Sequence, residues 1–330
     1  MIKERLSSEQ WTRFWEKGTP TTFFGSFDKN YDGKIADFWN GQFDKLPEHA
    51  QILDLATGNG ALAVLAAGYS EQRRKPLSII GIDSAEIDPG GIVRSQMNSI
   101  VRGKIKFHSN RNMENTELED HSVDLVISQF GFEYGDPEKV VEEASRVLKR
   151  KASIALLMHR RGSVIHRQSK DALKEVNQCN ESELHALLSE LLRRLQKVSD
   201  SGGDPLTDTR AAKLRDRVNK TTGRLHEEME NFKDPRHIGY FLTNSMVIFR
   251  PQFANHSLED KLNLLREVRE ETDSYESRMK DLQSAVLSPT DIDKLGKLMI
   301  RQGFQVTLSE PLKVDEGIFC HKFVAERGPT

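Results

Sequence analysis

The chain has 330 residues, 37% of them hydrophobic and 30% charged, with a formal net charge of −2. That is enough apolar material for one large α/β domain or for a domain with a sizeable insertion, and the near balance of charge disfavours a protein that lives on nucleic-acid phosphates. The two cysteines, Cys179 and Cys320, stand too far apart to form a metal-ligand pair, so neither a metal site nor a disulfide framework is expected and a reducing compartment suits them.

Residues 1–10 lack the apolar core of a signal peptide, and no run approaches the roughly 20 apolar residues of a membrane span. The expectation is a cytoplasmic protein with no membrane span.

Residues 1–49 read as helical and hold all three tryptophans, Trp11, Trp15 and Trp39, together with Phe14, Phe23, Phe24, Phe27, Tyr31, Phe38 and Phe43. The run 18–22, Gly-Thr-Pro-Thr-Thr, splits them into two helices. Aromatics at helical spacing point first to packing. Residues 50–158 alternate strands at 51–55, 77–82, 105–108, 123–128 and 152–158 with helices starting at 61 and spanning 138–148, which predicts a parallel sheet. Residues 165–290 change to long charged helices. Leu184, Leu187, Leu188, Leu191, Leu192 and Leu195 share one stripe, and Leu258, Leu262, Leu265 and Val268 another, with a loop at 199–208. The stripes predict helix–helix packing, with dimerisation as the alternative; they are too short for a coiled coil. His166 is expected on the surface of the first of these helices. A last helix, with Thr290 as N-cap and Gly303 as its stop, precedes an antiparallel pair of strands at 306–311 and 318–326.

The first strand runs into Asp54-Leu-Ala-Thr-Gly58-Asn-Gly60 and then a helix, the arrangement in which glycines let backbone approach a ligand at a helix N-terminus. A second acidic group, Asp83, ends the second strand, placed for ribose hydroxyls. The segment from Ile52 to Gly60 resembles the first motif of the class I S-adenosylmethionine-dependent methyltransferases, hydrophobic-Leu-Asp-x-Gly-x-Gly-x-Gly, with Ala56 where the first glycine is usual. A dinucleotide oxidoreductase is disfavoured because its Gly-x-Gly-x-x-Gly is absent.

The resemblance continues through Asn112-Met113-Glu114, the run Ser122-Val-Asp-Leu-Val126, and Ala144-Ser-Arg-Val-Leu-Lys149, although the usual Pro-Gly-Gly after the last is missing. It implies a seven-strand, doubly wound, Rossmann-like α/β sheet with an N-terminal helical lid (1–49), an S-adenosylmethionine-binding domain (50–164 and 289–330) and a helical insertion (165–288) that sets substrate choice or dimerises. It implies S-adenosyl-L-methionine as cofactor, held by Asp54, Ala56, Thr57, Gly58, Asn59 and Gly60. Asp83 with Ser84 would meet the ribose, Asn112 and Met113 the adenine, and Ser128 and Gln129 the region of the methyl group. Glu133 and Tyr134 fall in the catalytic quarter, with helix capping and packing as the plain alternative. His159 is the candidate general base, although His159-Arg160-Arg161 also suits a solvated turn.

Phe24 and Tyr31 from the lid, and Tyr240 and Phe241 from the apolar segment 237–249, are the expected substrate contacts. The acceptor is expected to be a small molecule. No Asn/Asp-Pro-Pro-Tyr follows strand four, and the charge balance disfavours nucleic acid. The alternatives are a cofactor-binding regulatory or scaffold protein and a nucleic-acid methyltransferase.

Overall fold

The computed structural model describes residues 5–19, 21–22, 30–90, 103–315 and 317–328. They divide into two compact units, Met1–His166 with Ser284–Thr330, and Arg167–Gln283.

The first unit is built on β1 (Ala50–Leu55), β2 (Leu77–Ile82), β3 (Ile105–His108), β4 (Val123–Gln129), β5 (Leu148–Met158), β6 (Phe304–Val314) and β7 (Gly317–Arg327). They form a seven-stranded sheet in the order β3-β2-β1-β4-β5-β7-β6. The first five strands are parallel, and β7 runs antiparallel to both β5 and β6. This is the doubly wound Rossmann-like sheet that the resemblance implied, with the parallel strands that the sequence pattern predicted. Its central strands are buried on both faces, and their composition is the cause: Ile52, Leu53 and Leu55 in β1, Leu125, Val126 and Ile127 in β4, and Ile154, Leu156 and Leu157 in β5 are all buried.

Helices α1 (Ser8–Trp15), α2 (Gly33–Asp44), α3 (Ala61–Gln72) and α4 (Pro137–Val147) belong to this unit. Between β5 and β6 the chain continues through α5 (Val164–Glu181), α6 (Leu184–Asp200), α7 (Thr209–Met229), α8 (Arg236–Met246), α9 (Leu258–Ala285) and α10 (Pro289–Arg301). On one sheet face α4, through Val140, Val141, Ala144 and Val147, and α10, through Ile292, Leu295, Leu298 and Met299, share a core with β1, β4 and β5. Helix α3 is buried on several sides, which its run of small residues permits: Ala61, Ala63, Ala66 and Ala67 are all buried.

Local expectations need three corrections. Ser288, not Thr290, caps α10: its Oγ accepts the Asp291 N–H at 3.2 Å, Asp291 Oδ2 accepts the Ser288 N–H at 3.0 Å, and Pro289 occupies the first helical position. Strand β5 begins at Leu148, directly after α4, through a charged stretch in which Lys151 takes φ 62° and the pairing with β4 shifts register. His166 is buried rather than superficial, and its Nδ1 accepts the Gly162 N–H at 3.0 Å.

The second unit has its own core. Leu184, Leu187, Leu188, Leu191 and Leu192 of α6 pack with Leu214 and Val218 of α7, Ile238 and Phe241 of α8, and Leu265 and Val268 of α9. Both leucine stripes are therefore spent on packing within the unit. The α6–α7 connection is fixed by Asp208, which caps α7 through the Ala211 N–H at 2.7 Å and pairs with the Arg194 guanidinium at 2.9 and 2.5 Å. Among the described residues no helix is long and apolar enough to cross a membrane.

Candidate active site

Parallel strands β1, β2, β4 and β5 end at one edge of the sheet, with Leu55 beside Ile82 and Gln129 beside Leu157. The chain order reverses between β1 and β4, and open α/β sheets bind ligands in the crevice outside such a point.

The turn after β1 is held by its own polar groups. The Thr57 N–H donates to Ile82 O at 2.9 Å, and Thr57 Oγ1 donates to Asp54 Oδ2 at 2.6 Å. Asp83, just beyond β2, accepts the Gly58 N–H at 2.8 Å through Oδ2 and the Ala85 N–H at 2.9 Å through Oδ1. The two acidic residues singled out in the sequence thus converge on one turn. Both are buried, and burial raises both carboxyls above the usual range; Asp54 is pushed up to about 7, with the Asp83 charge adding to the effect and the Thr57 hydroxyl opposing it. A pair of desolvated acids is a setting that gains from a cationic ligand.

Gly58 (φ 54°) and Gly60 (φ 86°) take the left-handed conformation, and a Cβ added to either would lie 2.5 Å from the Trp15 ring or 2.6 Å from the Phe107 ring. Ala56 shares that conformation at φ 52°, which is the physical reason a glycine would serve there. Ala56→Gly is accordingly expected to stabilise the fold by up to about 1 kcal/mol, the left-handed strain relieved less the added freedom of the unfolded chain. Chemical denaturation checks this. A loss of stability would mean that the Ala56 Cβ packing on the Gly131 turn outweighs the strain.

Helix α1 lies over the turn. Asn59 Nδ2 donates to Trp15 O at 2.9 Å and to Thr19 O at 3.0 Å, and Trp15, Phe14, Trp11, Phe107, Ala85 and Ile87 form one apolar cluster. Trp11 stacks on Trp15 with ring centres 6.3 Å apart and meets the edge of Tyr134 at 5.9 Å. Below this cover a cavity of about 50 Å³ is lined by Trp15, Tyr31, Asp54, Thr57, Gln129 and Phe130 among others. Pockets for drug-sized ligands measure roughly 300–1,000 Å³, so this cavity is smaller than a nucleoside-sized cofactor needs.

Beyond β4, Phe130 adopts φ 57°, uncommon for an aromatic residue, and stacks on the His159 ring at 4.5 Å. Glu133 Oε1 accepts the His159 backbone N–H at 2.6 Å, while its Oε2 and His159 Nδ1 are buried without hydrogen-bond partners. Tyr134 meets the His159 ring edge-on at 6.3 Å. The structure therefore gathers Glu133, Tyr134 and His159 at the ends of β4 and β5. Burial pushes the Glu133 carboxyl up to about 7 and the His159 imidazole down to about 3. His159 is thus neutral at neutral pH but a poor base, and Glu133 is the better-matched proton acceptor.

A carboxyl raised on folding stabilises the fold below its unfolded pKa, and that contribution is lost as pH rises through the folded value. For Glu133 the window is from its ordinary value of 4.5 to about 7. Between pH 5 and pH 8 the wild type should lose more stability than Glu133→Gln does, by up to about 3 kcal/mol. Parallel losses in denaturation series at several pH values would exclude the buried acid as the source.

The remaining expected site residues are placed as follows. Ser128 is fully buried, and its Oγ donates to Leu55 O at 2.9 Å, so its side chain ties β4 to β1. Gln129 lines the cavity, and its Oε1 accepts the Trp39 indole N–H at 2.6 Å. Ser84 and Asn112 are exposed; Met113 is half-buried against the sheet core. The Tyr31 hydroxyl lies near Asp54, and burial raises its pKa. Phe24 lies outside the described residues. Tyr240 is 48% exposed, whereas Phe241 is 1% exposed in the core of the second unit, stacked on His185 at 4.6 Å. Phe241 is therefore a packing residue rather than a substrate contact, because one turn of α8 cannot present both neighbours to solvent. Trp15 and Phe130 line the cavity and Trp39 bonds to Gln129, and none of the three was among the expected site residues. For the tryptophans the only signal was their concentration before residue 40.

The family model described as a methyltransferase domain matches residues 53–156. No curated protein matches the chain. Among solved structures, a geranyl diphosphate C-methyltransferase from Streptomyces coelicolor A3(2) is 17% identical, with 38% of this chain and 45% of that chain covered and a TM-score of 0.33. The match thus spans less than half of that protein. A S-adenosylmethionine-dependent methyltransferase from Aquifex aeolicus is 12% identical, with 88% of each chain covered and a TM-score of 0.41. A putative sarcosine dimethylglycine methyltransferase from Galdieria sulphuraria is 14% identical, with 97% of this chain and 99% of that chain covered and a TM-score of 0.38.

Proposed function

We propose that this chain, whose residues 53–156 match the methyltransferase-domain family model, is a class I S-adenosylmethionine-dependent methyltransferase that binds S-adenosylmethionine over the β1 turn and directs its methyl group to a small-molecule acceptor. The observation that carries the reading is the convergence of Asp54, Thr57, Gly58 and Asp83, in which the glycine N–H is donated to the acid of the neighbouring strand. The site fits the group on two further counts. Left-handed glycines leave the turn without side chains, and two buried acids favour a ligand that carries positive charge. When bound, the cofactor supplies an electrophilic methyl group on a sulfonium centre.

In this reading Asp83 and Ser84 take the ribose, Asn112 and the Met113 N–H take the adenine, and Asp54 and Gln129 take the amino-acid end. Ala56, Thr57, Gly58, Asn59 and Gly60 form the backbone cradle. Helix α1 supplies the cover that excludes water, which keeps nucleophile and methyl aligned. Glu133 receives the acceptor's proton where one must leave, and Tyr134 and His159 shape the wall beside it. Tyr31, Phe24 and Tyr240 are proposed substrate contacts. Self-association through the second unit would use surface other than the leucine stripes.

Incubating the protein with S-adenosylmethionine and fractionated small-molecule extracts, and measuring S-adenosylhomocysteine, tests the proposal. Fraction-dependent release is expected. Tight cofactor binding with no release in any fraction would support a regulatory, cofactor-binding role instead.

A further inference from the structure

Gln129 is held by a residue that the cofactor reading does not use. Trp39, on α2, is fully buried, with its ring against Phe38 at 4.8 Å and Phe43 at 6.4 Å, so it has one available orientation. An indole nitrogen can only donate a hydrogen bond, and that of Trp39 donates to Gln129 Oε1 at 2.6 Å. The amide carbonyl is thereby committed to Trp39, and its NH2 must face the other way. Gln129 Nε2 is buried, and the Tyr31 hydroxyl stands beside it as a hydrogen-bond partner. Gln129, Tyr31 and Asp54 line the same cavity.

The geometry points to Trp39 as a positioning residue that fixes the Gln129 amide with its donor toward the cavity, so that the site selects a ligand carrying a carboxylate there. This rests on the cofactor reading above. The cavity sits at the β1–β4 reversal, on the far side of β1 from Asp83, which follows β2. A ligand with its nucleoside at Asp83 therefore reaches Gln129 with its other end, which in S-adenosyl compounds is an α-amino acid. An amide NH2 has two hydrogens, and the one not facing Tyr31 gains from a carboxylate oxygen. The flipped amide would instead turn its carbonyl toward that oxygen and repel it.

Trp39→Phe keeps an aromatic ring in the cluster and removes the N–H, freeing the amide to turn. Two probes separate positioning from general damage: S-adenosylhomocysteine, and 5′-deoxy-5′-methylthioadenosine, which has the same nucleoside and no amino-acid end. By calorimetric titration the wild type should bind both. W39F should weaken S-adenosylhomocysteine roughly tenfold and leave the truncated ligand unchanged. Gln129→Leu should show the same contrast, and adding W39F to it should cause no further loss specific to the amino-acid end. Equal weakening of both ligands by W39F, or of neither, overturns the assignment and leaves the cofactor reading standing. A wild type that binds neither ligand removes the cofactor reading and this assignment with it. If W39F does not fold, Q129L decides: undiminished affinity for S-adenosylhomocysteine overturns the proposal.

Discussion

Gly58→Val is expected to reduce cofactor affinity at least a hundredfold and to destabilise the fold by about 2–3 kcal/mol. Two separate effects add. At φ 54° the backbone of residue 58 occupies the left-handed region, where a β-branched side chain is a strained outlier. A Cβ there would also sit 2.5 Å from Trp15 Cζ2 and 2.6 Å from Cη2, so valine must drive α1 off the turn. Gly58→Ala separates the terms. It retains the close approach but has less bulk, and should fall between wild type and valine. Trp15→Ala removes the collision without relieving the strain, so it should cost less stability in the G58A background than in the wild type. Calorimetry with S-adenosylhomocysteine and denaturant titration read the two quantities. Normal binding by G58V would place the cofactor site away from this turn.

The second large effect is expected at Asp83. Its two carboxylate oxygens are both committed within the chain, to the Gly58 and Ala85 N–H groups. Asp83→Ala leaves two buried donors without acceptors, each worth about 1–3 kcal/mol. Removal of a carboxylate whose pKa burial has raised returns part of that cost, so the net loss of stability should be about 2 kcal/mol. Cofactor affinity should fall more steeply than stability does, because the same residue shapes the Gly58 turn and, in the proposed binding mode, would accept the ribose hydroxyls. A D83A protein with wild-type melting and wild-type affinity would contradict both roles.

The sequence was informative wherever the signal is local. The apolar runs at 51–55, 77–82, 105–108 and 123–128 became β1, β2, β3 and β4 within a residue at either end, because strands buried on both faces must be continuously apolar. The glycine turn and Asp83 were legible for a similar reason: each is fixed by what a strand end must do next. Features set by distant contacts were not legible. That Trp15 lies on Gly58, or that Trp39 orients Gln129, depends on α1 and α2 folding back on the sheet across 43 and 90 positions of chain. Lys149-Arg-Lys151 carries no apolar signal, yet it lies within β5, in the register shift between the Val123–Leu148 and Leu125–Ser153 pairs. Tyr240 and Phe241 look equivalent as aromatics, and only helix phase separates the exposed ring from the buried one. The His159 environment was similarly hidden, since its neutrality comes from burial beneath Phe130 rather than from any neighbour in sequence.

Titration of S-adenosylhomocysteine into the wild-type protein, followed by calorimetry and by tryptophan fluorescence in the same samples, is the most direct test of cofactor binding at the β1 turn. Saturable binding at one site per chain is predicted, together with a fluorescence change from Trp15 and Trp11 as α1 moves to admit the ligand, and both signals should be lost in G58V. No heat and no fluorescence change up to millimolar ligand, or undiminished signals in G58V, would contradict it.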